Sequence, residues 1–91
     1  MKEFTYRIED ENGMHARPAG KLATFAKQFS SRITVKTDKK EGDGKRLLSL
    51  MSLGAVCGTE LHFLIEGDDE AAACEALERF CKESWCAESG K

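Results

Sequence analysis

The stretch Gly13-Met14-His15-Ala16-Arg17-Pro18-Ala19 is where the apolar spacing of this chain changes from every second residue to every third or fourth. Upstream of it, Phe4-Thr5-Tyr6-Arg7-Ile8 alternates apolar with polar, the period of a half-buried strand, and Asn12-Gly13 supplies a turn. Downstream, Pro18, Leu22, Phe25, Ala26 and Phe29 recur along one face of an α-helix. The pattern predicts strand, turn and helix in that order, with His15 at the mouth of the helix. A residue before proline avoids the α region, so the helix opens either at Ala16, with Arg17 under mild strain, or at Pro18.

A helix mouth is a particular chemical environment. The first backbone N–H groups have no partners inside the helix, and the summed peptide dipole is positive there, so the position favours an anion and disfavours a cation. His15 is therefore expected to stay neutral near physiological pH, with a lone pair free to attack phosphorus. N–H groups near Ala16 and Arg17 can cradle the oxygens of the resulting phosphoryl group, and the guanidinium of Arg17 offers a planar fork of donors that suits them better than an ammonium would. Pro18 lacks a donor, but near a helix start that donor would go unpaired anyway. Singly, a loop histidine is usually solvated, an arginine is a surface charge and a proline is punctuation. Those readings explain each residue but not their adjacency.

Hydrophobic residues at 41% and charged residues at 33% describe an ordinary soluble globule. At 91 residues the chain is expected to be one domain spanning 1–91, large enough for a core without obligatory staples. With 14 Lys+Arg against 16 Asp+Glu the net charge is −2, which gives no basic field for nucleic acid. No apolar run approaches the roughly 20 residues of a membrane span, and the start of the chain runs into a strand pattern without a signal-peptide core, so the expected location is cytoplasmic. The four cysteines, Cys57, Cys74, Cys81 and Cys86, match no zinc or C-x-x-C spacing. Cys74, Leu77 and Cys81 have helix-core spacing, whereas Cys57 and Cys86 read as exposed; all four are expected to be reduced.

The remaining elements follow from period and punctuation. Ile33-Thr34-Val35-Lys36-Thr37 reads as a second strand, and Leu61, Phe63 and Ile65, alternating with His62, Leu64 and Glu66, as another. Between them Asp38-Lys39-Lys40-Glu41-Gly42-Asp43-Gly44 is charged and glycine-rich, which permits only a weak edge strand or a loop. Leu47-Leu48-Ser49-Leu50-Met51-Ser52-Leu53 has five apolar residues in seven and is closed by Gly54. Either all five are buried, or Leu50 and Leu53 face the core and leave Leu47, Leu48 and Met51 exposed as a docking patch. Gly67-Asp68-Asp69-Glu70 predicts a turn with an Asp cap, followed by a helix marked by Ala73, Leu77, Phe80 and Cys81; the tail from about Trp85 is expected to be frayed or partly helical. The order is βαββαβα. Strands with one apolar face need cover, so the predicted fold is α+β, an open-faced β-sandwich with a four-stranded antiparallel sheet covered on one face by three helices.

From about Phe4 to about Ser84 the chain resembles the histidine-containing phosphocarrier family HPr of the bacterial sugar phosphotransferase system. The resemblance rests on two blocks, His15-Ala16-Arg17-Pro18-Ala19 and Ser49-Leu50-Met51-Ser52-Leu53-Gly54, in the family's order and separation. It implies strand order 1-4-2-3 and a phosphoryl group carried on the Nδ1 atom of His15, held by Arg17 with Ala16 and Pro18 shaping the site. It also implies a shuttle from enzyme I to the IIA domains of sugar permeases, with no cofactor or metal. Partners would meet the face of the first helix at Ala16, Gly20, Thr24 and Lys27 and the second helix at Leu47, Leu48 and Met51. Carriage favours a monomer making brief contacts.

The chain departs from the family at one regulatory position. Many Gram-positive members carry a kinase-modified serine after the lysine matching Lys45, where this chain has Arg46. Without a hydroxyl that modification cannot occur, and Lys27, Lys45 and Arg46 instead suggest a basic rim for acidic partners. Alternative readings are an HPr-like paralogue serving another phosphorelay, or a binding module that reports phosphorylation to regulatory proteins. Metal binding by His15, His62 and cysteines is more remote, since His62 reads as a wet sheet-face residue.

Overall fold

The alternating stretches pair because each can hide one row of side chains while leaving the other in water. The computed structural model describes residues 1–8, 16–54 and 56–85. Its elements run β1 (Lys2–Arg7), α1 (Ala16–Ala26), β2 (Arg32–Lys36), β3 (Glu41–Asp43), α2 (Leu47–Met51), β4 (Glu60–Glu66) and α3 (Glu70–Arg79), with a wider π-type coil over Phe80–Trp85. The sheet is antiparallel throughout, in the order β1-β4-β2-β3. The expected open-faced α+β sandwich is the fold observed.

Register explains which face is covered. Phe4 pairs with Phe63, and Val35 pairs with Phe63 from the other side, so these side chains lie in one row. The rings of Phe4 and Phe63 stack at 4.5 Å. Leu61, Phe63 and Ile65 of β4 and Ile33 and Val35 of β2 are buried beneath the helices, which contribute Ala19, Leu22, Ala23 and Ala26 from α1, Leu50 from α2, and Ala73 and Leu77 from α3. The opposite row, Thr5, His62, Lys36 and Glu41, is wet. His62 is thus a sheet-face residue, 3.8 Å from Glu60. β3 is the short edge strand that its glycine and charges permit. Beyond β1, Ile8 is still held, its N–H donating to the Thr59 carbonyl at 2.9 Å and its carbonyl accepting from Gly58 at 2.8 Å.

Three expectations need correction. The buried side of α1 uses the small residues Ala19 and Ala23 beside Leu22 and Ala26, because close packing of a helix on a sheet leaves little room. Phe25 and Phe29 pack at the margin, edge to face with ring centroids 5.7 Å apart, and Phe29 lies beyond the end of the helix. The final helix leaves α geometry at Phe80, whose ring stacks on Phe25 at 5.1 Å, while Cys81 stays buried. Residues from Cys86 onward lie outside the described residues.

The third correction concerns Asp69. It occupies the N-cap position of α3, yet its side chain makes no cap hydrogen bond. The carboxylate instead accepts from the N–H groups of Ser30 and Ser31, each at 3.0 Å, and from the hydroxyl of buried Ser31. Three donors in one loop outcompete a single helix N–H. The contact also needs Gly67, with φ +154°, because a Cβ there would stand 2.6 Å from the Cα of Ser31. The start of α3 is thereby stitched to the loop between α1 and β2.

The Ser31 hydroxyl, then the Ser30 N–H, hold the Asp69 carboxyl below its ordinary value. A depressed folded-state value contributes stability that is present above the unfolded value and is lost as pH falls through the folded one. Asp69→Asn should therefore lower the melting midpoint near neutrality, and the gap to the parent should close as pH drops below the usual carboxylate range. Thermal melts of both proteins across that range check this; a gap that stays constant into strong acid would show that the charge is not what holds the corner.

Candidate functional site

The helix that opens after His15 begins at Ala16, so Arg17 has helical backbone in spite of the proline that follows it. Of the two possible openings, the earlier one is adopted. His15 itself lies outside the described residues. The backbone that follows it sets the chemistry: an 11-residue helix with no acidic residue in its first turn and with Pro18 the only donor-free position there. Such an end draws an anion toward the N–H groups of the first turn.

Farther along α1, Gly20 faces open space and Thr24 is exposed, as is Lys27, one residue past the helix end. α1 packs against α2, and α2 resolves the choice left open by its sequence. Leu50 is fully buried and Leu53 is 6% exposed, whereas Leu47, Leu48 and Met51 are 38, 81 and 40% exposed. A helix of five residues can present only one side to a core, and the pattern splits accordingly. The turn then ends at Gly54, whose φ of +64° few other residues adopt. Gly20 and Thr24 on α1, with Lys27 just past its end, thus belong to the segment packed beside the helix that presents Leu47, Leu48 and Met51.

The supposed basic rim is smaller than expected. Lys45 is turned inward and donates from Nζ to the carbonyl of Phe29 at 2.6 Å, leaving Lys27 and Arg46 as exposed members. The sequence held no signal for this, because the acceptor is a main-chain atom of another segment. Arg46 is the N-cap residue of α2, extended at φ −123° and ψ 121°, with no side-chain cap hydrogen bond, as expected of a residue without a short acceptor side chain. Cys57 is exposed, Cys81 is buried, and burial, assisted by Glu78, pushes the Cys74 thiol up. Among the described residues no three His, Cys, Asp or Glu side chains gather as a metal site would need.

An open-faced sandwich whose first helix starts directly after a histidine, and whose second keeps leucines in water, has the layout of a small phosphocarrier. The family model described as "PTS HPr component phosphorylation site" matches residues 2–83. The phosphocarrier protein HPr of Treponema pallidum is 39% identical over 75 residues, covering 82% of this chain and 85% of that protein. The solved structure of a mycoplasma histidine-containing phosphocarrier protein superposes with a TM-score of 0.88 at 34% identity, over 91% of this chain and 94% of that one. HPr from Thermoanaerobacter tengcongensis superposes with a TM-score of 0.84 at 40% identity, over 90 and 92% of the two chains. The chain belongs to the HPr family, the phosphocarriers of the phosphotransferase system.

The split within α2 can be tested by stability alone. Leu50→Ala should cost about 2–5 kcal/mol, the usual range for a buried leucine, whereas Leu48→Ala should stay within about 0.5 kcal/mol of the parent. Chemical denaturation with a constant slope checks both values.

Proposed function

We propose that His15 is the residue that carries the phosphoryl group, taking it from a phosphohistidine of enzyme I and passing it to IIA domains of sugar permeases on the cytoplasmic side. The observation that supports this best is the His15-Ala16-Arg17-Pro18 run at the opening of α1. In the forward half-reaction a lone pair of the neutral imidazole attacks phosphorus in line, a new N–P bond forms, and the N–P bond to the donor histidine breaks. In the second half-reaction His15 becomes the leaving group. Positioning and charge neutralisation suffice for such a transfer, and Arg17 with the helix end provides both. The grip must be moderate, because a group held too firmly would not move on. One arginine and one helix end meet that condition. The protein acts as a carrier, modified and restored in each cycle.

Docking would use Ala16, Gly20 and Thr24 of α1 and Lys27 just after it, together with Leu47, Leu48 and Met51 of α2. Their mixture of apolar surface with flanking cations at Lys27 and Arg46 suits a partner with an apolar centre and an acidic rim. Arg46 also removes the hydroxyl that a serine kinase needs, so this carrier runs without that switch. Incubation with ATP and a serine-directed HPr kinase should leave its mass unchanged, and Arg46→Ser should gain one acid-stable phosphoryl group.

The carrier role itself is tested by intact mass after incubation with phosphoenolpyruvate and enzyme I from a relative, beside His15→Ala. One acid-labile phosphoryl group is expected, absent from the variant. With that enzyme I shown active on its own HPr, no transfer would favour a paralogue served by another donor.

A further inference from the structure

Lys45 stands where the two helices of the docking face are joined. Its Nζ donates to the Phe29 carbonyl in the turns that end α1, and its own N–H donates to Asp43 Oδ1 at 2.9 Å. One residue later the chain is extended at Arg46, and α2 begins at Leu47. α1 has no basic residue in its own last turn, so a cation delivered from the β3–α2 connection lies near its electronegative end. The bond is partly buried, where a charged donor to a carbonyl is worth more than it is in open water.

α2 cannot hold its own orientation. Five residues are far below the length at which a helix is stable by itself, so its direction is set by whatever touches it. Leu50 and Leu53 fix its depth over the sheet, and Lys40 reaches from the β2–β3 turn to the Ser52 carbonyl at 3.3 Å, holding its far end. Lys45 adds a constraint on its near end, beside the packing of α1 on α2 and the close approach of Gly42 to the Ser49 backbone. A partner that receives a group from one helix while resting on the other must fit both at once, so a patch held out of register weakens docking and is felt in KM before it is felt in the chemical step.

We propose that Lys45 is a positioning residue for phosphoryl transfer, acting through the Phe29 carbonyl to set the Leu47, Leu48 and Met51 patch in register with the opening helix. The proposal rests on the reading of His15 as the carrier.

The test uses the full chain as phosphoryl acceptor from phosphoenolpyruvate and enzyme I, with KM and kcat measured for the parent, Lys45→Met and Lys45→Arg. Lys45→Met keeps the stem and loses the donors; Lys45→Gln replaces it if it has melted at the assay temperature. Loss of docking register should raise KM roughly five- to tenfold with kcat within about twofold, and Lys45→Arg should recover most of the loss. Combined with Leu48→Ala, the effects on KM should be less than additive, because both act on one patch. A KM within twofold of the parent for a folded Lys45→Met protein overturns the proposal, as does full additivity with Leu48→Ala, which would mark the lysine as structural only. Failure of the underlying reading has a separate signature: the parent would take up no phosphoryl group, or His15→Ala would take it up equally well.

Discussion

Everything in this fold depends on the placement of β4 between β1 and β2. Leu61, Phe63 and Ile65 point to one side of that strand and are wholly buried, and register lines them up with Phe4 on one neighbour and with Ile33 and Val35 on the other. A slip of one residue would turn the entire row into water. Once the row is fixed, all three helices must lie on the same side to cover it. α1 and α2 are therefore brought into contact with each other over that row.

Much of this was legible in the sequence because it is written in local periods. Alternation located the strands, the glycine and charges of residues 38–44 marked the weak edge, and five apolar residues in a helix of about seven forced the choice between burial and exposure that α2 resolves with Leu50 inside and Leu48 outside. The likeness to the HPr family supplied the strand order, which spacing cannot. What escaped has a common cause. An Asp of the 68–69 pair was expected to cap its own helix, but Asp69, at the cap position, instead reaches a loop 38 residues away, and Lys45 was expected at the rim and reaches a carbonyl 16 residues back. In both cases the competing partner is created only by tertiary folding. The inner side of α1 was misjudged for another reason: large apolar residues dominate a periodicity count, whereas alanines line the closest contact.

The candidate site is also divided between what the chain writes locally and what the fold supplies. His15, Arg17 and Pro18 are contiguous, so their chemistry can be read in a few residues. The proposed docking surface is composite, drawing on α1 and on the much shorter α2 held beside it. The contacts of Asp69 and Lys45 lie at joints between segments, one linking α3 to the end of α1 and the other linking the start of α2 to the same end. The turns that close α1 thus serve as an anchor for both remaining helices.

β3 has a consequence for the life of the protein among its own copies. Its three residues, Glu41, Gly42 and Asp43, form one border of the sheet. An approaching strand would find a template only three residues long and acidic at both ends, and a second β3 would bring like charges together. A sheet with one naked face and open borders is ordinarily prone to templated assembly, and the sparse sequence of this border counters that tendency. A shuttle that must collide constantly with other proteins is in this way discouraged from adhering to itself.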